Sequence, residues 1–441
     1  MHVDAASEIR RVAQGVDLPG LGAEMLALVQ ELFPLYRSIT GEGLRETLRR
    51  VSRLAPLQLH EVPSGTPVFD WTVPKEWTFR EARLTGPDGE VVADARRSNL
   101  ELVSYSSPFS GRVSLEELQP HLFSLPEQPD LVPYRTSFYR ESWGFCLPHA
   151  RREALRPGTY DVHIDTTLSA GSLTYGELVL PGASSDEVLI STHCCHPSLA
   201  NDNLSGIALT ATLGRLLSGL PLRYTYRLLF VPGTIGSITW LATNREKTSR
   251  IRHGLVVAGV GNPGPLHYKR SRRGNALIDR AAVHVLAHSG AHVVRDFIPY
   301  GYDERQYCSP GFDLPVGSLT RTPFGEYPEY HTSADDLSFV RPELLADSLR
   351  RYLEILEVLE GDRVLRNTSP YGEPQLGKRG LLGGIGGVGS LGASQMALLW
   401  VLNLCDGRSS LLDVAERSGH PFSEIRAAAE ALEGAGLLLP A

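Results

Sequence analysis

Residues 187–206 read EVLISTHCCHPSLANDNLSG, and their reading decides the fold. Val188, Leu189 and Ile190 form a short apolar run of the kind that makes a strand buried on both faces. The run ends at Ser191-Thr192-His193, and polar residues follow at once: Cys194, Cys195, His196, then Asn201-Asp202-Asn203. Beyond Asp202, Leu204, Ile207, Ala208 and Ala211 give the i, i+3, i+4, i+7 stripe of a helix packed on a sheet. Strand, polar loop and helix in that order is a unit that carries sites at the strand's carboxyl end. A histidine there and an aspartate at the helix start can share one metal ion, imidazole nitrogen and carboxylate oxygen both suiting zinc. A single histidine after a strand is most often an ordinary loop residue. Two histidines beside Asn-Asp-Asn-x-Ser-Gly say more, and Tyr330-His331-Thr332-Ser333-Ala334-Asp335 supplies a third histidine in a polar loop downstream.

Outward from that stretch the alternation repeats. Buried-type strands are expected at 226–232 (YRLLFVP), 254–260 (GLVVAGV) and 314–320 (LPVGSLT). Helical stretches at 203–217, 235–247 and 275–288 separate them, and a helix from Pro342 to Leu359 closes the run. Strand alternating with helix predicts an α/β fold, a mostly parallel sheet between helices. TYDVHIDTTL and SLTYGELVLPG read as antiparallel strands at a sheet edge, joined through Ala170-Gly171. Between 57 and 137 the texture changes. Pro63, Pro67 and Pro74 exclude long helices, Pro87-Asp88-Gly89 reads as a hairpin turn, and LQLHEV, VFDWTV, EVVADA and LELVSY are β-prone. The domains expected are therefore an α/β domain from 21–56 and 138–365, a mostly-β insertion at 57–137, a Gly-rich linker at 366–393 and a tail at 394–441. The tail's three short helices and terminal apolar strand look like a winged helix, with Leu399, Trp400, Val414, Ile425 and Leu432 as its core.

Composition narrows the function. The chain has 441 residues, enough for two or three domains, with 42% hydrophobic and 21% charged residues, as in ordinary globular proteins. A net charge of −7 recruits neither nucleic acid nor an anionic membrane. The winged-helix tail holds three Arg, no Lys and six acidic residues, so a contact with protein is expected rather than with DNA. Five scattered cysteines and a leading segment without an apolar core predict a cytoplasmic protein in a reducing compartment.

The combination of a strand-end His193, Asn201-Asp202-Asn203-Leu204-Ser205-Gly206 and a distant Tyr330-His331-Thr332-x-x-Asp335 resembles the zinc aminopeptidases of metallopeptidase family twenty-eight. The runs SITGEGLRETL, VPSGTPVFDWTVPKEW, GSLTYGEL, HPSLANDNLSG and GEYPEYHTSAD carry a closer resemblance over most of residues 30–365. It is to a bacterial family of aminopeptidase-like proteins sometimes named for polysaccharide-biosynthesis gene neighbourhoods. That resemblance implies the fold of a zinc aminopeptidase with a β-rich insertion and a C-terminal winged helix. It also implies zinc, held by His193, Asp202 and His331; His196, beside the position of a lost carboxylate, is a reserve ligand or is held in a turn by Pro197.

The chain departs from the enzymes it resembles. Their His-x-Asp motif reads His193-Cys194-Cys195 here, their Glu-Glu pair falls on Gly233-Thr234, and their next acidic ligand falls near Gly261-Asn262. A zinc site still needs a proton acceptor. Glu304 and Glu329 are the candidates for it, and Asp303 or Glu304 could also bind a substrate ammonium or reach the metal. The basic run from His267 to Arg273 could receive a substrate anion, although such runs are usually solvated faces. The function expected is a zinc-dependent aminopeptidase-like hydrolase of a small peptide or amide, altered or reduced in activity. The alternative is a catalytically silent peptidase fold used for binding. The inserted and winged-helix parts are where a homo-oligomer contact or a protein partner is expected.

Overall fold

The computed structural model describes residues 5–381 and 393–441. Its main sheet has eight strands: β1 (Gln58–Pro63), β2 (Ser172–Leu180), β3 (Glu187–His193), β4 (Thr225–Val231), β5 (Ile251–Val257), β6 (Leu266–Lys269), β7 (His292–Arg295) and β8 (Val316–Thr320). Their order in space is β1-β2-β4-β3-β5-β8-β6-β7. The centre, β4-β3-β5-β8, is parallel, as the strand–helix alternation requires. The flanks join it antiparallel, through β2 on β4 and β6 on β8.

Helices α1 (Gly206–Leu217), α2 (Ile235–Thr243), α3 (Leu277–Ala287), α4 (Glu304–Tyr307) and α5 (Pro342–Gly361) connect or cover these strands. Every residue of β3 is buried. Val188 and Ile190 turn to the face covered by α1, α5 and the N-terminal helix Leu18–Leu32, while Leu189 turns to the face covered by α2. Burial on both faces explains the unbroken apolar run that makes this strand legible. Parallel pairing then brings the carboxyl ends of β3, β4 and β5 to one edge, with His193 opposite Val231 and Thr192 opposite Val257.

Two expected boundaries move. Gln58–Pro63 belongs to the main sheet, paired antiparallel with β2, so the insertion begins after it. Thr159–Ser169 leaves the main sheet and lies between Glu76–Thr85 and Phe109–Ser114 in a separate four-stranded sheet. It therefore does not pair with β2. The physical reason is its burial, which alternates, whereas all but one residue of β2 is buried. The place beside β2 at the sheet edge is taken instead by β1.

The winged helix also starts earlier than expected. Its sheet is built on Val364–Asn367, which lies between Asp406–Ser410 and Leu438–Pro440. Its helices are α6 (Ala393–Leu404), α7 (Leu411–Ser418) and α8 (Phe422–Gly434). Val414, Ile425 and Leu432 are buried as expected, but Leu399 and Trp400 are only half-buried, and Ala397, Leu398, Val401 and Leu402 fill the core instead. Of the Gly-rich linker expected at 366–393, residues 382–392 lie outside the described residues. The unit packs on the α/β domain. Arg10 of helix Ala5–Gly15 donates to the Ser423 carbonyl at 3.0 Å, Arg280 of α3 pairs with Asp413 and Glu416 at 2.6 Å each, and buried Arg426 stands 3.7 Å from Glu357 of α5. Among the described residues no single helix is long and apolar enough to cross a membrane. All five cysteines are buried and free.

Candidate metal centre

The Asn-Asp-Asn-Leu-Ser motif joins the ends of β3 and β5. Three successive amides after β5 are bound by it: Gly259 N–H donates to Asn203 Oδ1, Val260 N–H to Ser205 Oγ and Gly261 N–H to Asn201 Oδ1, at 3.0–3.1 Å. Asn203 also donates to Thr192 Oγ1 and to the His193 carbonyl. Asp335 fixes the loop from the other side, accepting from the Asn201 and Asp202 amides at 2.6 and 2.9 Å. Burial pushes the Asp335 carboxyl up to about 8 despite those two amides. Asp202, fully buried, is thereby held in one orientation.

Its two oxygens face different histidines. His193 Nε2 lies 2.9 Å from Oδ1 and His331 Nε2 lies 3.0 Å from Oδ2. His331 has a left-handed backbone, φ +54°, a conformation uncommon for residues other than Gly, although His enters it more readily than most, and one that recurs at functional sites. Its carbonyl accepts from Tyr134 N–H at 2.7 Å, and the Tyr134 ring centroid stands 5.0 Å from both His331 and His196. Tyr302 stacks on His193 at 5.2 Å and Tyr330 on His331 at 3.9 Å. Rings that pack on imidazoles limit their rotation, so the nitrogens are aimed before any ion arrives.

Ligand atoms of His193, His196 and Asp202 all lie within 4.8 Å of one another. Two imidazoles and a carboxylate converging at a strand end form a donor set that fits zinc, with His331 on the second oxygen of Asp202. Burial disfavours a charge on Asp202, but the hydrogen bonds from His193 and His331 outweigh it and hold the carboxyl well below the usual carboxylate range. Burial pushes the His196 imidazole down to about 3, so it is neutral and has a lone pair to donate.

The other expected residues are distributed unevenly around this centre. A cleft of about 230 Å³ is lined by His193, His196, Asp202, Gly233, Asp303 and Tyr330, among others, but by neither Glu304 nor Glu329. Glu304 is buried and ion-paired with Lys269, and Glu329 is half-buried in a turn where its carbonyl accepts from Thr332. Asn262 turns away to bind the Thr322 carbonyl and the Gly264 amide. Asp303 is the acid in the cleft. Its Oδ1 accepts from Ser237 Oγ at 2.7 Å, and its Oδ2 is buried without a partner. A Cβ at Gly233 would lie 3.6 Å from that Oδ2. Burial raises the Asp303 carboxyl to about 6, with His193 and Ser237 opposing. The sequence carries one signal for it, an acid in the polar loop Gly301-Tyr302-Asp303-Glu304. Tyr134, Phe138 and Tyr139, which come from the insertion and the segment after it, give none.

Comparison with known proteins agrees with this architecture. A Clostridium acetobutylicum protein named for polysaccharide biosynthesis and an aminopeptidase-like domain is 47% identical over 418 residues, 95% of this chain and 96% of its own length. A crystal structure from Clostridium acetobutylicum, of a protein provisionally named a peptidase, superposes with a TM-score of 0.93 at 45% identity, over 99% of this chain and 100% of that one. A zinc aminopeptidase from Bacillus subtilis shares the fold at 13% identity, with a TM-score of 0.56 over 76% of this chain and 94% of that one. Residues 363–440 match a winged helix-turn-helix family. Residues 26–362 match the family described as a domain of unknown function, DUF4910, and with the 47% identical relative that shows that the chain belongs to it.

Proposed function

We propose that the chain is a zinc-dependent, aminopeptidase-like hydrolase that cuts a small peptide or amide, with its proton acceptor at Asp303 in place of a residue at 233. The observation that carries this reading is the Asp303 Oδ2, buried without a partner in the cleft of His193, His196 and Asp202 and 3.6 Å from where a Gly233 side chain would begin. His193, His196, Asp202 and His331 would hold the ion. Zinc, when bound, supplies a Lewis acid that polarises a carbonyl and lowers the pKa of water.

Asp303 takes the proton of the attacking water as the carbon–oxygen bond forms, then returns it to the leaving amine as the carbon–nitrogen bond breaks. A carboxyl raised to about 6 suits both transfers near neutrality. Ser237 holds Oδ1, leaving Oδ2 for the proton. Tyr302 and Tyr330 cover the imidazoles and narrow the access of bulk water. The Clostridium relative's name joins this fold to polysaccharide biosynthesis, so amides of amino sugars stand beside peptides as substrates to test. Five buried free thiols support the cytoplasm as the compartment.

Gly233 and Asn262, where the resembled enzymes carry acids, favour a second reading, a silent fold used for binding. Asp303→Asn separates the two. On the first reading it lowers kcat about 10²–10⁴-fold in zinc-loaded protein at unchanged zinc stoichiometry. Equal turnover by both forms would show that Asp303 is not the acceptor, and no turnover of any amide by the zinc-loaded chain would leave the binding role.

A further inference from the structure

Beside the cleft, the insertion places a hairpin anchored by Val68, which is buried in the core cluster that includes Ile235 and Ile238 of α2, while its tip stands out of that core. Pro67–Val68 and Trp71–Thr72 pair with Val68 opposite Trp71, so Phe69 and Asp70 are the two turn residues. Phe69 adopts φ +57°, which two-residue hairpin turns normally give to Asn or Gly. It is nevertheless 54% exposed, and Trp71 beside it is 43% exposed. A bulky aromatic in a left-handed conformation that buries so little points to function, because strain of this kind persists where binding uses it. The two rings overhang a groove of about 380 Å³ that also presents Asp70, Arg245, Gln306 and Phe312. Trp71 meets Tyr139, itself 55% exposed, at 5.0 Å, and Tyr139 lines the cleft that holds His193 and Asp303. The groove therefore continues the cleft outward along a wall of ring faces.

We propose that this aromatic shelf binds a carbohydrate ring attached to the amide that the cleft receives. The C–H face of a pyranose carries partial positive charge and packs on the negative face of an aromatic ring. Its hydroxyls need donors and acceptors around the rim, and Asp70, Arg245 and Gln306 of the lining carry them. A peptide added as a further strand would need a strand edge for main-chain pairing, and the hairpin strands are two residues long. Placing the amide at Asp303 rests on the hydrolase reading above; the shelf's affinity for sugar does not.

The test is calorimetric titration of the metal-free full chain with N,N′-diacetylchitobiose. Binding in the millimolar range is expected, weakened roughly tenfold by Trp71→Ala and by Phe69→Gly, the scale of one aromatic contact. Because Gly accepts the left-handed turn, Phe69→Gly should keep or raise the melting temperature while it loses the sugar. A purely structural Phe69 would show the opposite. Asp303→Asn should bind like wild type, so loss of turnover without loss of sugar leaves the shelf standing. The proposal is overturned by any of three results: no heat of binding at tens of millimolar disaccharide, wild-type affinity in both variants, or tighter Trp71-dependent binding of a Gly-Phe-Gly peptide.

Discussion

Gly233 and Asp303 share one small space, and that sharing makes two opposite predictions for substitutions at them. A Cβ on Gly233 would stand 3.0 Å from His193 Cβ, closer than side chains ordinarily pack. Gly233→Glu is therefore expected to push His193 out of position and displace Asp303. It should weaken zinc retention and lower turnover; a rise in turnover of aminoacyl p-nitroanilides would mean that the chain simply lacks a base. In wild type, kcat/KM should fall as pH drops below about 6, because a protonated Asp303 cannot accept a proton. That acidic limb should disappear from the residual activity of Asp303→Asn, and a limb that persists unchanged would assign it to another group. Metal loading offers an independent check. Asp202→Ala removes the carboxylate that both His193 and His331 address, so elemental analysis should find no retained zinc although the sheet stays folded. His196→Ala should retain zinc with affinity reduced about 10–100-fold.

At the scale of elements, legibility follows the way each segment is buried. β3, β4, β5 and β8 are readable because both faces are covered and the sequence turns continuously apolar. His193, Asp202 and His331 are readable because the loops that carry them hold dense polar motifs. Asp303 reads only as one loop acid among several, since the contact that matters crosses from the Gly301–Glu304 loop to Gly233 and leaves no periodic trace. Thr159–Ser169 goes to the wrong sheet because strand propensity does not say which sheet a strand joins; its alternating burial does. Val364–Asn367 escapes notice as part of the winged helix because the Gly-rich stretch separates it from its partners in sequence. The seam between α5 and α8 yields a test that reads pH instead. Burial pushes the Glu357 carboxyl up to about 7, against the pull of Arg426 and Arg10. A carboxyl raised in the folded state contributes stability that is full below its unfolded pKa and is lost as pH rises through the folded value. Wild type should therefore lose about 3 kcal/mol relative to Glu357→Gln between pH 4 and pH 8. Urea unfolding at both pH values measures the difference, and a pH-independent gap would mean that Glu357 titrates alike in the folded and the unfolded chain.

At the scale of the whole molecule, the winged helix is continuous with the core of the α/β domain. Ile355, Leu356 and Leu359 of α5 belong to one apolar cluster with Leu365, Leu398, Val401, Phe422 and Ile425. The third helix of the unit, α8, spends Phe422 and Arg426 on that contact. Residues 363–441 carry seven Lys and Arg against seven Asp and Glu, so the unit has no excess of cations to release counterions from phosphates. The full chain should therefore show no salt-sensitive binding to duplex DNA in a fluorescence-anisotropy titration. Where the chain is cut should decide what survives. A fragment of residues 394–441 lacks Val364–Asn367, the central strand of its three-stranded sheet, and is expected to be unfolded by circular dichroism. A fragment of 363–441 regains that strand and should show helical signal and a cooperative melt. Removing the same residues from the other side bares the apolar face of α5, so a 1–362 fragment should melt lower than the full chain and tend to associate. Mixing 1–362 with 363–441 should restore the higher melting temperature, because the seam is made of side chains that both pieces retain. If 394–441 folds alone, or if 1–362 melts like the full chain, the winged helix is an appendage and the seam contributes nothing to stability.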